Sequence, residues 1–455
     1  MGNPGPLSRV KHVGQVKITI HRGTKEIGGS CVEVATAKTR IIVDLGMPLV
    51  APWNKKERLE SIGFIRSSTK ELLGLGVLPP VEGLYSGDGT GIPIEAVLLS
   101  HPHMDHYGLL GHIRQDIPVY LSDGAKRLIE ASDIFLPLKA RIKRPVTIED
   151  RKQVVIGGIS ITPYLVDHSG FGAMAFLIEG DGKRIFYSGD FRAHGRKWKL
   201  FPKFLRNPPE RVSCLLMEGT TLGRPGKTMP TEEDVERQIV VIGKKWKGLK
   251  LVYASGQNID RLVSFYKVAV RSGGCFVVDL YTAYVLDTLG VSSIPRPSRA
   301  FPRLKVLYTH FLMRKIAASG MSALFKRFRP YEITPQEIGR RPGAHFVMYR
   351  ESLSPEISKI GDFKEGVMIY SMYEGYKHEA SFRKVQDFLT KNAIGLESAH
   401  TSGHAGLDDL RKLVEALKPK VLTPIHTFEP ERYRELWPAV HPLDDGDVFE
   451  IPPTG

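Results

Sequence analysis

Four side chains that commonly bind metal ions lie close together in the segment LLSHPHMDHYG (98–108). They are His101, His103, Asp105 and His106, and they directly follow an apolar, strand-like run. A strand that ends in a loop can fold imidazole and carboxylate groups around one point, and these groups bind divalent ions of the zinc type. Because no thiolate takes part, the set favours a catalytic site with room for water. The alternative is a chance cluster on a surface loop, which is weak because the chain has only 15 histidines.

Three more side chains of these types follow other apolar runs. Asp44 follows RIIV, His168 follows ISITPYLVD, and Asp190 follows KRIFYSG. Taken singly, His168 would be an ordinary histidine and Asp190 an ordinary turn residue. Because each follows an apolar strand, each is expected to emerge at one edge of a sheet. We therefore group them with the cluster at 101–106.

The order H-x-H-x-D-H after a strand resembles the signature of the metallo-β-lactamase superfamily. The resemblance implies that Asp44 orients the metal-binding loop and that two divalent ions, Zn or Mn, are bound. It also implies one ion held by His101, His103 and His168, and a second held by Asp105, His106 and Asp190, with Asp190 shared. Such a pair of ions activates a bridging water and clamps the attacking and leaving oxygens, which suits phosphodiester hydrolysis.

Three later segments resemble motifs of the β-CASP branch of that superfamily. Glu218 in CLLMEGTTLG matches motif A, His404 in HTSGHAG matches motif B, and His426 in VLTPIHT matches motif C and completes the second metal site. The resemblance implies that His404 protonates the leaving oxygen and that Glu218 orients it, since a carboxylate stabilises a charged imidazole. The catalytic candidates are then Asp105, Asp190, Glu218 and His404. The alternatives are a surface acid for Glu218 and a helix cap for His404.

The motifs most resemble those of ribonuclease J, and a histidine at motif C is typical of members that act on RNA. That likeness implies a loop at Ser402, Gly403, His404 and Ala405 that holds a 5′-phosphate of single-stranded RNA through backbone N–H groups. ASGQNIDRLV (254–263) is similar to a further segment of that family, with two extra residues before Asn258. Ribonuclease J relatives also carry a C-terminal domain that supports dimerisation, so a homo-oligomer is left open here.

The elements that must position these residues change character along the chain. Residues 1–225 read as many short strands, which indicates a sandwich of sheets. Residues 226–375 alternate strand and helix, which is typical of a parallel α/β domain. Residues 376–455 contain two amphipathic helices and a short strand. Together with the resemblance, this predicts an α/β fold: a metallo-β-lactamase αββα sandwich, in two parts, with an inserted β-CASP α/β domain.

The composition favours an acidic partner. The formal net charge is +15, which suits nucleic acid, although a solvated basic surface would give the same value. The runs at 139–152 and 196–206 are rich in Lys and Arg, and the second also contains aromatic residues. Such runs fit either an exposed basic face or a nucleic-acid groove. Three widely spaced cysteines predict a reduced, cytoplasmic setting, and we find neither a secretory signal at the N-terminus nor an apolar run long enough to span a bilayer.

The leading interpretation is a zinc-dependent ribonuclease that acts as a 5′-to-3′ exonuclease, an endonuclease or both. A DNA nuclease of the repair type is the first alternative, and His426 speaks against it. A small-molecule hydrolase conflicts with the inserted domain and the positive charge. A non-catalytic RNA-binding scaffold conflicts with the presence of every candidate metal ligand.

Overall fold

The computed structural model describes residues 15–59, 64, 67–85, 91–136, 140–224 and 229–452. The N-terminal residues on which the signal-peptide prediction rests lie outside that set. The first residue of the basic run at 139–152, Lys139, also lies outside it. Up to residue 218 the strands and helices are β1 (Lys17–Arg22), β2 (Cys31–Ala35), β3 (Arg40–Val43), β4 (Val50–Ala51), β5 (Asn54–Arg58), α1 (Thr69–Gly74), β6 (Ile94–Leu98), α2 (Met104–Tyr107), β7 (Val119–Ser122), α3 (Asp123–Phe135), β8 (Pro145–Ile148), β9 (Val154–Ile156), β10 (Ile159–Leu165), β11 (Met174–Gly180), β12 (Lys183–Tyr187), α4 (Leu200–Leu205) and β13 (Cys214–Glu218).

Helices are more frequent in the second half of the chain. The elements are α5 (Glu232–Lys245), β14 (Lys250–Tyr253), α6 (Ile259–Arg271), β15 (Cys275–Asp279), α7 (Leu280–Thr288), β16 (Leu304–Leu307), α8 (His310–Ala318), α9 (Ala323–Phe328), α10 (Pro335–Arg340), β17 (His345–Met348), α11 (Ser354–Ser358), β18 (Val367–Tyr370), α12 (Ala380–Lys391), β19 (Gly395–Ser398), α13 (Leu407–Leu417), β20 (Val421–Ile425), α14 (Arg432–Leu436) and β21 (Val448–Glu450). Helix α5 starts as the sequence predicts, because Thr231 and Asp234 cap each other's backbone N–H groups.

Two sheets form the sandwich. One has the order β21-β1-β2-β3-β6-β7-β8 and the other the order β20-β13-β12-β11-β10-β9. Alternate residues of both sheets, among them Ile18, Val34, Phe176 and Leu216, are buried together between them. This apolar layer between the sheets is the central core of the sandwich.

Helices cover both outer faces of the sandwich. Leu72 of α1 and Ile129 of α3 pack on the first sheet. On the second sheet, Phe204 of α4 and Leu413 of α13 take the same role. The layers therefore run helix, sheet, sheet, helix, and the predicted αββα sandwich is confirmed.

The third sheet has the order β16-β15-β17-β14-β18-β19, and every pairing in it is parallel. This agrees with the predicted α/β body. The sheet continues past residue 375, because β19 pairs with β18 and α12 buries Phe382 and Leu389 in the same core. The predicted boundary at 375 thus falls inside this body, and the division into domains stays a prediction.

Two further features bear on the setting of the protein. Within the described part of the chain, every helix is too short or too polar to cross a lipid bilayer. Cys31 and Cys214 are buried as free thiols, and Cys275 is a half-buried free thiol.

Candidate metal centre

The carboxyl ends of parallel strands bring the predicted ligands together. Strand β3 is parallel to β6, so Asp44 and the segment 101–106 leave the first sheet at the same edge. In the second sheet β12, β13 and β20 are parallel neighbours, and they deliver Asp190, Glu218 and His426 to one edge. The two edges meet at a single point, where the backbone of Asp44 and of His426 turns sharply with φ of 61° and 51°.

Three histidines form the first cluster. His103 Nδ1 lies 3.1 Å from His101 Nε2 and 3.1 Å from His168 Nε2. The Nδ1–H of His168 donates to the Gly403 carbonyl oxygen at 2.6 Å, which leaves Nε2 as the atom that faces the other two rings. The sequence predicted these three residues as one ligand set, and the fold places their ring nitrogens within 4.8 Å of one another.

A second cluster lies beside the first. It consists of Asp105, His106 and His426, with His426 Nε2 3.3 Å from Asp105 Oδ2. Asp190 stands between the clusters, since its Oδ2 lies 3.6 Å from His101 Nε2 and 3.2 Å from His106 Nε2. Its Oδ1 lies 3.7 Å from His426 Nδ1. Asp190 is therefore in reach of both clusters.

Buried atoms without hydrogen-bond partners test whether these residues suit metal ions. Among the described residues, neither His106 Nε2 nor Asp190 Oδ2 makes a hydrogen bond, although both atoms are fully buried. Orphaned buried polar atoms are costly, and a bound cation would satisfy them. The donors are imidazole nitrogens and carboxylate oxygens, which are ligands for zinc-type ions. The residues fit divalent metal ions.

The histidines of the two clusters differ in the direction in which the protein shifts their pKa. Burial lowers the pKa of His101 and His168 well below the usual range, and it lowers the pKa of His103 to about 4. Burial also opposes charge on His106, but Asp190 and Asp44 raise its pKa well above the usual range. The three rings of the first cluster are therefore neutral, which is the form that binds a metal ion.

Asp44 supports the centre from behind. Its Oδ2 accepts the Nδ1–H of His106 at 2.8 Å and the hydroxyl of Tyr187 at 2.7 Å. Its Oδ1 accepts the backbone N–H of Ser100 at 2.7 Å. These bonds fix the ring of His106 so that Nε2 points at Asp190. The predicted orienting role of Asp44 is compatible with these bonds and stays a prediction, and Tyr187 is a partner that the sequence analysis missed.

Glu218 and His404 form a pair next to the candidate metal ligands. His404 Nδ1 lies 3.1 Å from Glu218 Oε2 and 3.7 Å from Asp190 Oδ2. Glu218 is buried, and its Oε1 also accepts the backbone N–H of Phe191 at 3.2 Å. Burial works against protonation of His404, yet Glu218 and Asp190 raise its pKa above the usual value. The pair can therefore present a protonated imidazole beside the two clusters.

The loop at 402–405 is occupied by contacts within the protein. The His404 N–H donates to Ser402 Oγ at 3.1 Å, and the Ala405 N–H points at Glu218 Oε1 at 3.5 Å. The Gly403 carbonyl oxygen holds His168. Two of the N–H groups on which the 5′-phosphate prediction relied thus have protein acceptors here. The predicted phosphate-binding role of this loop stays a prediction.

A buried arginine holds this loop from the other side and was missed by the sequence analysis. Arg192 has no exposed side-chain surface, and its Nη1 donates to the Ser402 carbonyl oxygen at 3.0 Å. Its guanidinium also lies 2.6 Å from Asp260, 3.4 Å from Asp167 and 3.4 Å from Glu232. No local pattern in the sequence marks these partners, because they come from separate loops and helices.

Thr220 is a further missed residue. Its hydroxyl lies 2.9 Å from His426 Nδ1, which leaves His426 Nε2 to face Asp105. A threonine two residues after an apolar strand carries no signal by itself. Only the parallel pairing of β13 with β20 brings Thr220 to His426.

Comparison with known proteins points in the same direction as this geometry. A Beta-lactamase superfamily domain model matches residues 87–232. Ribonuclease J from Helicobacter pylori (strain ATCC 700392 / 26695) is 22% identical over 472 aligned residues, which cover 99% of this chain and 63% of that protein. An RNase J-like protein from Methanocaldococcus jannaschii is 26% identical over 287 residues, which cover 59% of this chain and 58% of that protein.

A solved structure supports the fold. The crystal structure of a protein of unknown function from Enterococcus faecalis V583 matches with a TM-score of 0.76 and 19% identity, covering 96% of this chain and 100% of that one. At that identity the likeness speaks for the fold alone. The chain spans 63% of the length of the Helicobacter pylori relative, so this similarity alone does not assign that protein's activity to the chain.

Proposed function

Since this chain is a metallo-β-lactamase superfamily protein distantly related to ribonuclease J, we propose that it is a metal-dependent nuclease that hydrolyses phosphodiester bonds of single-stranded RNA. We further propose that it acts as a 5′-to-3′ exonuclease, with endonuclease activity as the second mode. The metal centre is proposed to hold two ions, Zn or Mn, through the seven predicted ligands, His101, His103, Asp105, His106, His168, Asp190 and His426.

The observation that carries the proposal is the position of Asp190. It lies between two clusters of nitrogen and oxygen donors, and the Glu218–His404 pair lies directly beside it. Two clusters of metal-binding donors that share a carboxylate, with a protonated imidazole next to them, suit phosphodiester cleavage. Divalent ions held by these residues would stabilise the phosphate charge and activate water, and the imidazole can give a proton to the leaving oxygen.

The protein's own residues prepare the reaction. Asp44 fixes the ring of His106, and the Gly403 carbonyl oxygen fixes the ring of His168. Glu218 accepts the Nδ1–H of His404 and stabilises the protonated ring, which can give its Nε2 proton to the leaving oxygen and remain as the neutral Nδ1–H form. Because these groups are held by buried hydrogen bonds, little reorganisation is needed when the substrate binds.

The choice of RNA rests on three supports. The relatives with matching sequence are named ribonuclease J and RNase J-like protein. The net charge of +15 favours a polyanionic substrate. The third is His426, which lies beside Asp105 and His106 and is the residue type that the family resemblance associates with RNA at motif C. A 5′-monophosphate held near Ser402–Ala405, a homo-oligomer and a cytoplasmic location belong to the proposal.

The test uses purified protein with added Mn²⁺ or Zn²⁺ and a 5′-labelled single-stranded RNA that bears a monophosphate, next to a DNA strand of the same sequence. Release of labelled mononucleotide from the RNA is expected for the 5′ exonuclease, and labelled fragments of intermediate length for internal cutting. Cleavage of the DNA alone would replace the RNA assignment with the repair-type nuclease. Cleavage of neither strand would contradict the proposal.

Asp190→Ala ties the activity to the metal centre. Because Asp190 is in reach of both clusters, we expect this variant to lose cleavage while it stays folded by circular dichroism. Asp408→Ala is the matched control, since the Asp408 side chain is 87% exposed at the start of α13. Full activity of Asp190→Ala would show that the cleaving site lies elsewhere.

A further inference from the structure

A cavity of about 340 Å³ lies at the amino ends of strands in the third sheet. Gly274 precedes β15, Arg303 precedes β16 and His345 begins β17, and all three residues line it. Because these strands are parallel, their amino ends meet at one edge of the sheet. The volume is within the range of pockets that bind small ligands. We call this cavity the arginine pocket, defined by Arg303, Arg340, Arg341, Glu337 and His345.

The charge of the arginine pocket is positive. Three arginines line it against one acidic residue, Glu337. Glu337 Oε2 is engaged in the capping box of α10, where it accepts the N–H and the hydroxyl of Thr334 at 2.8 and 2.7 Å. The carboxylate is thus directed to the start of its own helix. Three arginines around one concave space match the recognition of oxyanions, because guanidinium forks pair with phosphate oxygens.

Two of the basic side chains are held in place by the fold. Arg303 Nη1 donates to the carbonyl oxygens of Gly273 and Gly274 at 2.7 and 3.2 Å, which fixes the guanidinium over the turn before β15. His345 Nδ1–H donates to the Arg341 carbonyl oxygen at 2.9 Å, and this bond anchors the residue that follows α10. Side chains that are already positioned lose less conformational entropy on binding a ligand.

The arginine pocket is separate from the metal centre. The opposite, carboxyl edge of the same sheet lies toward the metal centre. Arg261 donates to the carbonyl oxygens of Ser371 and Ala399 at that edge and pairs with Glu232. Glu232 also pairs with Arg192, which holds the Ser402 carbonyl oxygen beside His404. Strands of four residues separate the two edges, a length of roughly 13 Å at about 3.3 Å per residue. A phosphate in the arginine pocket is therefore not the one that is cleaved.

We infer that the arginine pocket binds a phosphate group, supplied either by a free nucleotide or by the backbone of an RNA whose other end lies in the metal centre. The inference goes beyond the proposed nuclease, and only its RNA form depends on that function. The basic residues act as a group: Arg303 is the fixed donor, and the exposed Arg340 and Arg341 close on the ligand.

The test compares wild type with Arg340→Gln/Arg341→Gln. Both side chains are exposed, so the double variant keeps the bonds of Arg303 and is expected to fold normally. Arg434→Gln is the control, because its exposed ion pair with Glu431 lies in α14 near the end of the chain. Binding is measured on the metal-loaded proteins with phosphorothioate RNAs of about 6 and about 24 nucleotides, and with AMP by thermal shift.

Each outcome decides. About tenfold weaker binding of the longer RNA alone, with a salt slope shallower by about 1.4, supports the RNA backbone as the source. Loss of AMP-dependent stabilisation relative to both wild type and the control, with RNA binding unchanged, supports a free nucleotide. If the double variant binds every probe as the control does, the inference is wrong. Because binding is measured without cleavage, that result says nothing against the nuclease itself.

Discussion

Replacing Arg192 by glutamine removes the positive charge on which three buried carboxylates converge. Asp260 lies 2.6 Å from the guanidinium, and Asp167 and Glu232 each lie at 3.4 Å. Arg192 and Asp167 have no exposed side-chain surface, and Glu232 is 1% exposed. Glutamine can still donate one hydrogen bond to the Ser402 carbonyl oxygen, so the variant tests the charge more than the loop contact.

The size of the effect follows from the partners that remain. Removing one member of a buried ion pair typically costs about 3–5 kcal/mol, because the other charge is left without compensation. Arg261 still lies 3.0 Å from Glu232, and Lys197 lies 3.6 Å from Asp260 and 3.8 Å from Asp167. Since these cations compensate part of the loss, we expect the cost of one broken pair and not of three. For a domain of about 150–250 residues, about 3–5 kcal/mol lowers the midpoint of thermal unfolding by roughly 6–20 °C.

The measurement is the midpoint of the first unfolding transition in differential scanning calorimetry. The first transition is used because a protein with several packed sheets can depart from two-state unfolding. Arg192→Lys keeps the charge but not the fork of donors, so we expect a smaller fall than for glutamine. Arg434→Gln removes a cation whose side chain is 59% exposed, and a surface pair of this kind contributes about 0–1 kcal/mol.

A double-mutant cycle provides the refutation. Asp260→Asn added to Arg192→Gln removes one charge of each sign. We therefore expect the double variant to lose less stability than the sum of the two single-variant losses, by about 0.5–3 kcal/mol. Strict additivity, or a midpoint for Arg192→Gln equal to that of Arg434→Gln, would show that the buried charges are not coupled as the distances imply.

Three further predictions concern the metal centre. His404→Ala should slow RNA cleavage by about 10²–10⁴-fold, the usual contribution of a general acid, with exposed His378→Ala as control; an unchanged rate would remove His404 from the mechanism. Gly46→Ala should abolish metal binding, measured by metal content, because its Cβ would lie 1.6 Å from the Asp105 carbonyl oxygen; normal metal content would contradict this close contact. Thr220→Val should weaken metal affinity by about 10–100-fold in competition titrations, since the hydroxyl orients His426, and unaltered affinity would mean that it does not.

The candidate metal ligands could be recognised from the sequence because four of them lie close together in the chain. His101, His103, Asp105 and His106 occupy one turn after β6, and a local cluster of rare residues is visible without any knowledge of pairing. His168 and Asp190 needed one physical rule in addition, that strand ends converge at a sheet edge. The αββα layers followed from the density of apolar strands together with the resemblance.

The rest depends on pairing that the sequence does not display. Arg192 meets its partners only because β12 lies beside β13 and because α5 and α6 dock on this edge. The third sheet extends past residue 375 because β19 pairs with β18. The sequence did not indicate this strand, because its four residues are not buried and show no apolar alternation. Edge strands of this kind are defined by their neighbour and carry little signal of their own.

The position of His404 depends on both halves of the structure at once. From the sandwich, Glu218 binds its ring, and Thr221 donates to the Ala405 carbonyl oxygen at 2.6 Å. Arg192 holds Ser402 while it pairs with Glu232 and Asp260, which belong to helices that pack on the third sheet. The proposed proton donor is therefore held in place by the sandwich and by the helices that pack on the third sheet. The same loop also holds a candidate metal ligand, since the Gly403 carbonyl oxygen accepts the Nδ1–H of His168. Movement of these helices relative to the sandwich would therefore disturb the first cluster together with His404.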